Sequence, residues 1–524
     1  MEENKFNNVI MDIPARNENK LFGFLSWLLI GIGVILRLAQ YFYDKSLWRD
    51  ETLLVLNIIE RSTIDLLKPL DYNQHAPPGF LIIEKIITSL LGTGELAFRF
   101  FPLICSIVSL FFFYKLSKKC ISKSATLIAL GIFAILVSML YYSSETKQYS
   151  SDVLISLLLV LLTLKIKNTD LTVLTSLLYG IYGAISIWFS HTAILVLIGS
   201  SLYFLLKSIS KKELQKSFYV LIFCLPWVIS FLVLYFTILV HTDTDKGLSM
   251  YWDNFYFPLP NFSASTINTY KTIYSEFLRF STLNSFAGIC FVIGFTVFYK
   301  NQKETFYILG APLFVTLFVS ALHKYPLFER FLLFLIPFII LFIAEGAEWL
   351  RQKASKISPI LGIVIICLLF YKPLLFTKNN FTNPLSQEEI KPVLSYIKDH
   401  LKKNDVIYVS GNLQYVFKYY APRYNLCSNY SIKPERENLE EAQCSSFNHK
   451  LFLGSVLNNT DNELEKISRS KRIWFIFSDK LEGDRAGKRF TLSYLDNIGV
   501  KIGSFLRPNI SAYLYDLSIK SDNK

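Results

Sequence analysis

Two adjacent carboxylates, Asp50 and Glu51, lie in the run Trp48-Arg49-Asp50-Glu51, directly after a long apolar stretch. Charge beside hydrocarbon is costly, so paired acids there call for a reason. One is a general base waiting for a hydroxyl proton. The plainer one is two solvated acids at the start of an interfacial helix, favoured by its dipole. Further on, Asn73-Gln74-His75-Ala76-Pro77-Pro78 sets a histidine just ahead of two prolines that suit a helix's first turn. That position suits an anion, although a surface histidine in a turn has the same sequence. A third run, Tyr141 to Asp152, is polar between apolar stretches. If a helix restarts near Glu145, then Glu145, Gln148, Tyr149 and Asp152 share one face. Such a face is expensive unless it lines a wet cavity; a simple polar loop is the competing account. Last, Arg330 falls near a span's outer end, where its forked donors suit a phosphate and where arginines also snorkel. Arg37 and His191 are weaker candidates, since lone polar residues in helix bundles usually just find a partner.

The elements that must position these groups are membrane helices. Of 524 residues, 52% are hydrophobic and only 18% charged, against about 25% charged in soluble domains. Long apolar runs fill roughly the first 376 residues and mixed sequence fills the rest. About eleven spans are expected: 21–43, 97–117, 124–142, 152–166, 171–189, 192–206, 217–240, 283–299, 305–322, 326–346 and 358–376. The first has no small-residue cleavage pattern after it and reads as a retained signal anchor. The net charge of +13 comes from short basic clusters between these runs, which is membrane topology rather than a nucleic-acid face. The run 77–91 is short and contains Glu84 and Lys85. If it does not cross, Lys20, Lys118, Lys167, Lys211, Lys303 and Lys353, each in or beside a basic cluster, all fall inside. It is therefore expected to be interfacial or re-entrant. The stretches 44–95, 143–151 and 240–282 and the tail then face outward.

In the tail, 386–402 has helical apolar spacing, 405–410 and 472–477 read as buried strands, 413–420 and 490–498 as helices, and 500–506 and 511–517 as strands. This alternation predicts a small α/β domain. No phosphate loop, triad or metal cluster is readable there. Cys427 and Cys444 suit a disulfide in an oxidising compartment or two free thiols.

The order of these motifs resembles the GT-C fold glycosyltransferases, in the branch of protein O-mannosyltransferases, aminoarabinose lipid A transferases and rhizobial lipopolysaccharide core transferases. The resemblance covers about residues 20–350 and rests on Asp50-Glu51, on His75 before Pro77-Pro78, on Tyr141 to Tyr149, and on Arg330 ahead of Ile336-Pro337. It implies an α-helical polytopic membrane protein with a cytoplasmic segment 1–20, a transferase domain 21–376 whose catalytic outer loop is 44–95, and an extracytoplasmic α/β domain 377–524. It implies a polyprenyl-phosphate-linked sugar as donor and a glycan, lipid or protein acceptor, in the plasma membrane of a bacterium with the N-terminus inside. Asp50 matches the family's catalytic aspartate, with Glu51 its acidic companion and Glu145 the second acidic position. Gln148 and Tyr149 follow Glu145 as in the family, and His75, Lys85 and Arg330 would meet the carrier phosphate. The acids are expected to converge in one aqueous pocket, covered by the aromatic-rich loop 251–280. A phosphate leaving group needs positive charge rather than an acid, which suits one base plus basic residues. No cofactor is expected; a divalent cation on Asp50, Glu51 and Glu145 is the alternative, without tight ligand spacing to support it. A lipid or solute transporter is the rival class, and would put functional charges at mid-membrane depth.

Overall fold

The computed structural model describes residues 3–169, 171–241, 252–258, several positions between 267 and 277, then 283–427, 440–443, 450–454, 472–480 and 482–518. The chain forms two compact units, Met1–Tyr43 with Ser62–Pro384, and Asp44–Arg61 with Leu385–Lys524. The stretch 44–95, taken from sequence as one outer loop, is thus divided at Arg61.

In the larger unit, eight helices among the described residues are long and apolar enough to cross a membrane. A ninth candidate is the pair Lys123–Ile135 and Val137–Ser144, bent by 51°, and two shorter apolar helices are Val173–Phe189 and Ser285–Asn301. Together these helices occupy all the apolar runs read from the sequence. Helix Pro78–Leu91 has 14 residues, about 21 Å at 1.5 Å per residue and short of the ~30 Å hydrocarbon core.

The bent pair shows how the fold handles polar backbone in an apolar setting. Leu136 leaves the helical region (φ −62°, ψ 120°), so the carbonyls that end the first helix need other donors. Arg37, fully buried in the first helix, donates to Phe133 O at 3.3 Å and Ala134 O at 3.2 Å. Its other donors reach Gly33 O at 3.0 Å and Ser106 Oγ at 2.8 Å, and Thr377 Oγ donates to Ile135 O at 2.5 Å. Elsewhere, Ser285–Asn301 and Ile336–Ser355 meet backbone to backbone: a Cβ on Gly294 would overlap Phe342 O, and one on Gly346 would overlap Cys290 O. At the ends carrying basic clusters, Glu304 bridges Lys167 at 2.8 Å and Lys207 at 2.6 Å. Lys123 reaches Asn19 at 2.5 Å. Lys167 and Lys207 thus meet at one end with Glu304, and Lys119 and Lys167 both lie within electrostatic reach of Cys120.

The smaller unit is built on a six-stranded sheet in the order β2-β3-β1-β4-β6-β5: β1 Val406–Ser410, β2 Glu440–Gln443, β3 Lys450–Gly454, β4 Arg472–Ser478, β5 Val500–Arg507 and β6 Ile510–Asp516. β1 runs parallel to β3 and β4, and the outer pairings are antiparallel. The apolar runs VIYVS and RIWFIFS make the two central strands, buried almost throughout. Helix Ile390–His400 buries Ile390, Val393, Leu394 and Ile397, the residues its spacing selects. β2 and β3 were not expected from the sequence. Cys427 is disulfide-bonded; Cys444 lies outside the described residues.

Candidate active site

In the membrane unit the turn after the bent pair gathers the polar side chains. It passes through a 3-10 segment, Tyr142–Ser144, then Glu145 in extended conformation, and becomes helix again at Tyr149. The expected restart near Glu145 is thus corrected by four residues. Ser143 Oγ donates to Leu140 O at 2.6 Å, Ser150 Oγ to Tyr142 O at 2.7 Å, and Lys147 N–H to Glu145 O at 2.7 Å. Such local bonds compete with helix formation. Glu145 therefore does not share a helix face with Gln148, Tyr149 and Asp152. It is fully buried, with Oε1 accepting from Tyr141 Oη at 3.0 Å. Gln148 immediately precedes the helix, half-buried.

Beside it, buried Tyr142 lies within electrostatic reach of Glu145, Arg330, Tyr149 and Glu329. The Tyr142 and Tyr149 rings meet edge-on at 5.1 Å, and Tyr149 reaches Phe331 at 6.4 Å. The Arg330 guanidinium lies 5.8 Å and 5.7 Å over Phe328 and Phe331. Arg330, far along the chain from Glu145 and Tyr149, thus joins them in one cluster about Tyr142. Trp252 packs 5.3 Å from both Phe328 and Phe331, and Leu327 N–H donates to Phe255 O at 2.7 Å. These contacts belong to the stretch 251–280 expected as an aromatic-rich cover, of which 251, 259–266 and several later positions lie outside the described residues.

The same turn is tied to the loop before the paired prolines, because Lys147 Nζ donates to Gln74 Oε1 at 2.8 Å. Pro77 precedes the helix and Pro78 opens it, as the sequence predicts. His75 is exposed and shares a small cavity with Lys68, Gln74 and His191. Burial pushes the His191 imidazole down to about 4, and His75 acts in the same direction. The His191 turn is anchored by Asp152, whose Oδ1 accepts from Ser190 Oγ at 2.6 Å. Lys85 is half-buried, about two turns into helix Pro78–Leu91.

Asp50 and Glu51 occupy the first turn of helix Arg49–Glu60, in the unit that contains the tail. Glu51 is fully buried and Asp50 half-buried. The backbone N–H of Arg49 donates to Glu388 Oε2 at 2.8 Å. Burial pushes the Glu388 carboxyl up, while Lys480, the Arg49 N–H and Ser478 pull it down.

Comparison with solved structures identifies the architecture. The archaeal oligosaccharyltransferase AglB from Archaeoglobus fulgidus, in complex with an inhibitory peptide and a dolichol-phosphate, superposes with a TM-score of 0.52 at 10% identity, over 95% of this chain and 74% of that one. ArnT from Cupriavidus metallidurans, bound to undecaprenyl phosphate, gives 0.51 at 10% identity, over 95% and 98%. The chain has the GT-C glycosyltransferase fold. ArnT in the apo state gives 0.50 at 9% identity, over 97% of this chain and 100% of that one. Residues 75–236 of this GT-C chain match the family model of dolichyl-phosphate-mannose-protein mannosyltransferases. No curated protein sequence matches.

Within the GT-C chain, two residues escaped the sequence reading. Lys147 lies inside a run already singled out, and its charge between two apolar spans was the available signal. Glu388 sits in an ordinary polar stretch, and nothing local distinguishes it. Among the described residues, no group of three or more His, Cys, Asp or Glu side chains is arranged to hold a metal ion.

Proposed function

We propose that the chain transfers a sugar from a polyprenyl-phosphate carrier to a hydroxyl of a cell-envelope glycolipid, polysaccharide or protein, with inversion at the anomeric carbon. The observation that carries this reading is the cluster of Glu145, Tyr149 and Arg330 around Tyr142, in a fold shared with enzymes solved with polyprenyl phosphates. In the reaction, Asp50 takes the acceptor's hydroxyl proton as the oxygen bonds to the anomeric carbon. The bond from that carbon to the phosphate oxygen breaks, and the lipid phosphate leaves with the electron pair. Arg330 and His75, with Lys85, hold the departing charge. Glu51 and Glu145 orient acceptor and sugar, with Gln148 and Tyr149 beside them.

The chain resides in the plasma membrane in this reading, with its N-terminus cytoplasmic and its tail outside. The basic residues that share an end, Lys167 and Lys207, support that orientation. So does the disulfide at Cys427, since such bonds persist in oxidising compartments.

The test is Asp50→Asn, with membrane insertion and abundance checked. Transfer into envelope glycolipids, followed by mass analysis in a strain lacking the native gene, should be abolished. Transfer at the wild-type rate would remove Asp50 as the base. His75→Ala and Arg330→Ala should instead raise the amount of donor required.

A further inference from the structure

Helix Arg49–Glu60 is not a free-standing piece of loop. Its N-cap residue, Trp48, offers no side-chain oxygen, so the first N–H groups need acceptors from elsewhere. The C-terminal domain supplies one to the helix, at Arg49, and others to the residues just before it. Glu388 Oε2 accepts from Arg49 N–H at 2.8 Å, and its Oε1 accepts from Ser478 Oγ, at the end of β4, at 3.3 Å. One residue on, Glu389 accepts from Ser46 N–H at 3.3 Å and from Ser46 Oγ at 3.0 Å. Tyr420 Oη accepts from Leu47 N–H at 2.7 Å. Lys391 returns the contact, its N–H donating to Ser46 Oγ at 3.2 Å and its ammonium to Asp44 Oδ2 at 3.0 Å. Lys480 lies 3.3 Å above the Trp48 ring, and Lys418 pairs with Glu60 at 2.6 Å at the helix's far end.

Three residues at the start of the tail's first helix, Glu388, Glu389 and Lys391, thus hold the chain from Asp44 to Arg49. The residue after the last of these contacts is Asp50. Glu388 itself is 2% exposed, so its carboxylate is spent on these two bonds rather than on solvent. An acid in that place also complements the positive end of the helix.

The geometry points to a function for the C-terminal domain: it is the frame that fixes the Asp50 helix, and Glu388 is the positioning residue through which it does so. This rests on the reading of Asp50 as the base. Glu388 touches no reacting atom; it acts by setting where the next residue's carboxylate stands. Small displacements of a base are costly, about 100-fold for 1 Å.

The experiment uses the full-length protein in lipid nanodiscs. In Glu388→Met, which keeps the side-chain length and removes both acceptor oxygens, amide exchange across 46–52 should rise about 10-fold, in line with loss of a helix cap, with β4 and the membrane helices unchanged. Transfer, assayed with a total lipid extract of the source cells as donor, should fall about 10-fold or more, with the half-saturating extract concentration unchanged. Unchanged exchange across 46–52 overturns the proposal. So does faster local exchange with full transfer, or a loss that appears only as a raised donor requirement. If exchange rises throughout the chain, that variant has misfolded. Ser478→Ala, which removes only the hydroxyl holding Glu388 Oε1, then decides by the same criteria. Asp50→Asn separates the two readings. Wild-type transfer by that variant sinks Asp50 as the base, while the exchange result still reports whether Glu388 holds the helix.

Discussion

Arg37 is the residue whose removal should cost the membrane unit most. Arg37→Met keeps the length and apolar stem and deletes the guanidinium. Gly33 O lies one helical turn back and keeps its regular partner, and Ser106 Oγ is an acceptor that can turn to another group. The loss therefore falls on Phe133 O and Ala134 O, beside the break at Leu136. A buried carbonyl left without a donor costs about 1–3 kcal/mol, so two cost about 2–6 kcal/mol. Relief from desolvating a buried charge returns part of this, which leaves a net loss of about 2–4 kcal/mol. At ~2.7 kcal/mol the unfolding equilibrium shifts about 100-fold. The assay is reversible unfolding of purified protein against increasing SDS in mixed micelles, with Trp fluorescence as readout. Arg37→Lys should fall between wild type and Met, because an ammonium has donors but not the fork that spans two carbonyls and Ser106. Ser106→Ala, which strands only the buried Arg37 Nε–H, should cost about 1–3 kcal/mol. If Arg37→Met unfolds at the wild-type SDS fraction, the account of the bent span is wrong.

Three further outcomes are expected. Gly346→Ala puts a methyl onto Cys290 O and must push Ile336–Ser355 away from Ser285–Asn301, so folded yield by size-exclusion chromatography should drop sharply, whereas Gly23→Ala, which meets nothing, should be silent. Peptide mass mapping of protein alkylated in intact cells without reductant should recover Cys427 only in a cross-linked peptide, and a freely alkylated Cys427 would contradict an oxidising location for the tail. The folded His191 imidazole takes a proton only near pH 4, while the unfolded one does so near 6.5, so the unfolded state binds more protons between those values. Stability should therefore fall as pH drops from about 6.5 to 4, and thermal melts of His191→Gln should lose that slope.

The membrane architecture was legible because a bilayer leaves an apolar run few alternatives to a helix. Each predicted run is helical, and even Arg37 behaves as a lone buried polar residue should, by finding partners. In the tail, VIYVS and RIWFIFS were legible for a similar reason, since continuous apolar, β-branched and aromatic runs of that length fit a buried strand. β2 and β3 were not, because their pairing is supplied by β1 and by each other rather than by propensity. The span expected over 124–142 is broken at Leu136, which was not foreseen, and the restart was misplaced, as hydroxyls of Ser143 and Ser150 hold the turn open through bonds that no periodicity records.

The candidate residues stand out in the sequence, and the framework that holds each of them does not. Asp50, Glu145 and Arg330 announce themselves as charges beside hydrocarbon, a local signal. What supports them is non-local: Ser46 and Glu389 are 343 residues apart, and Lys147 and Gln74 are 73 apart. The consequence is sharpest for helix Arg49–Glu60. Twelve residues make a marginal helix in isolation, since nucleation fixes about three residues before one bond repays it. Such a segment is ordered only by what it packs on, and here that is the domain formed by the last 140 or so residues of the chain. A tail whose own sequence carries no recognisable chemistry can therefore still supply order to Asp50 and Glu51, which lie on a helix too short to order itself.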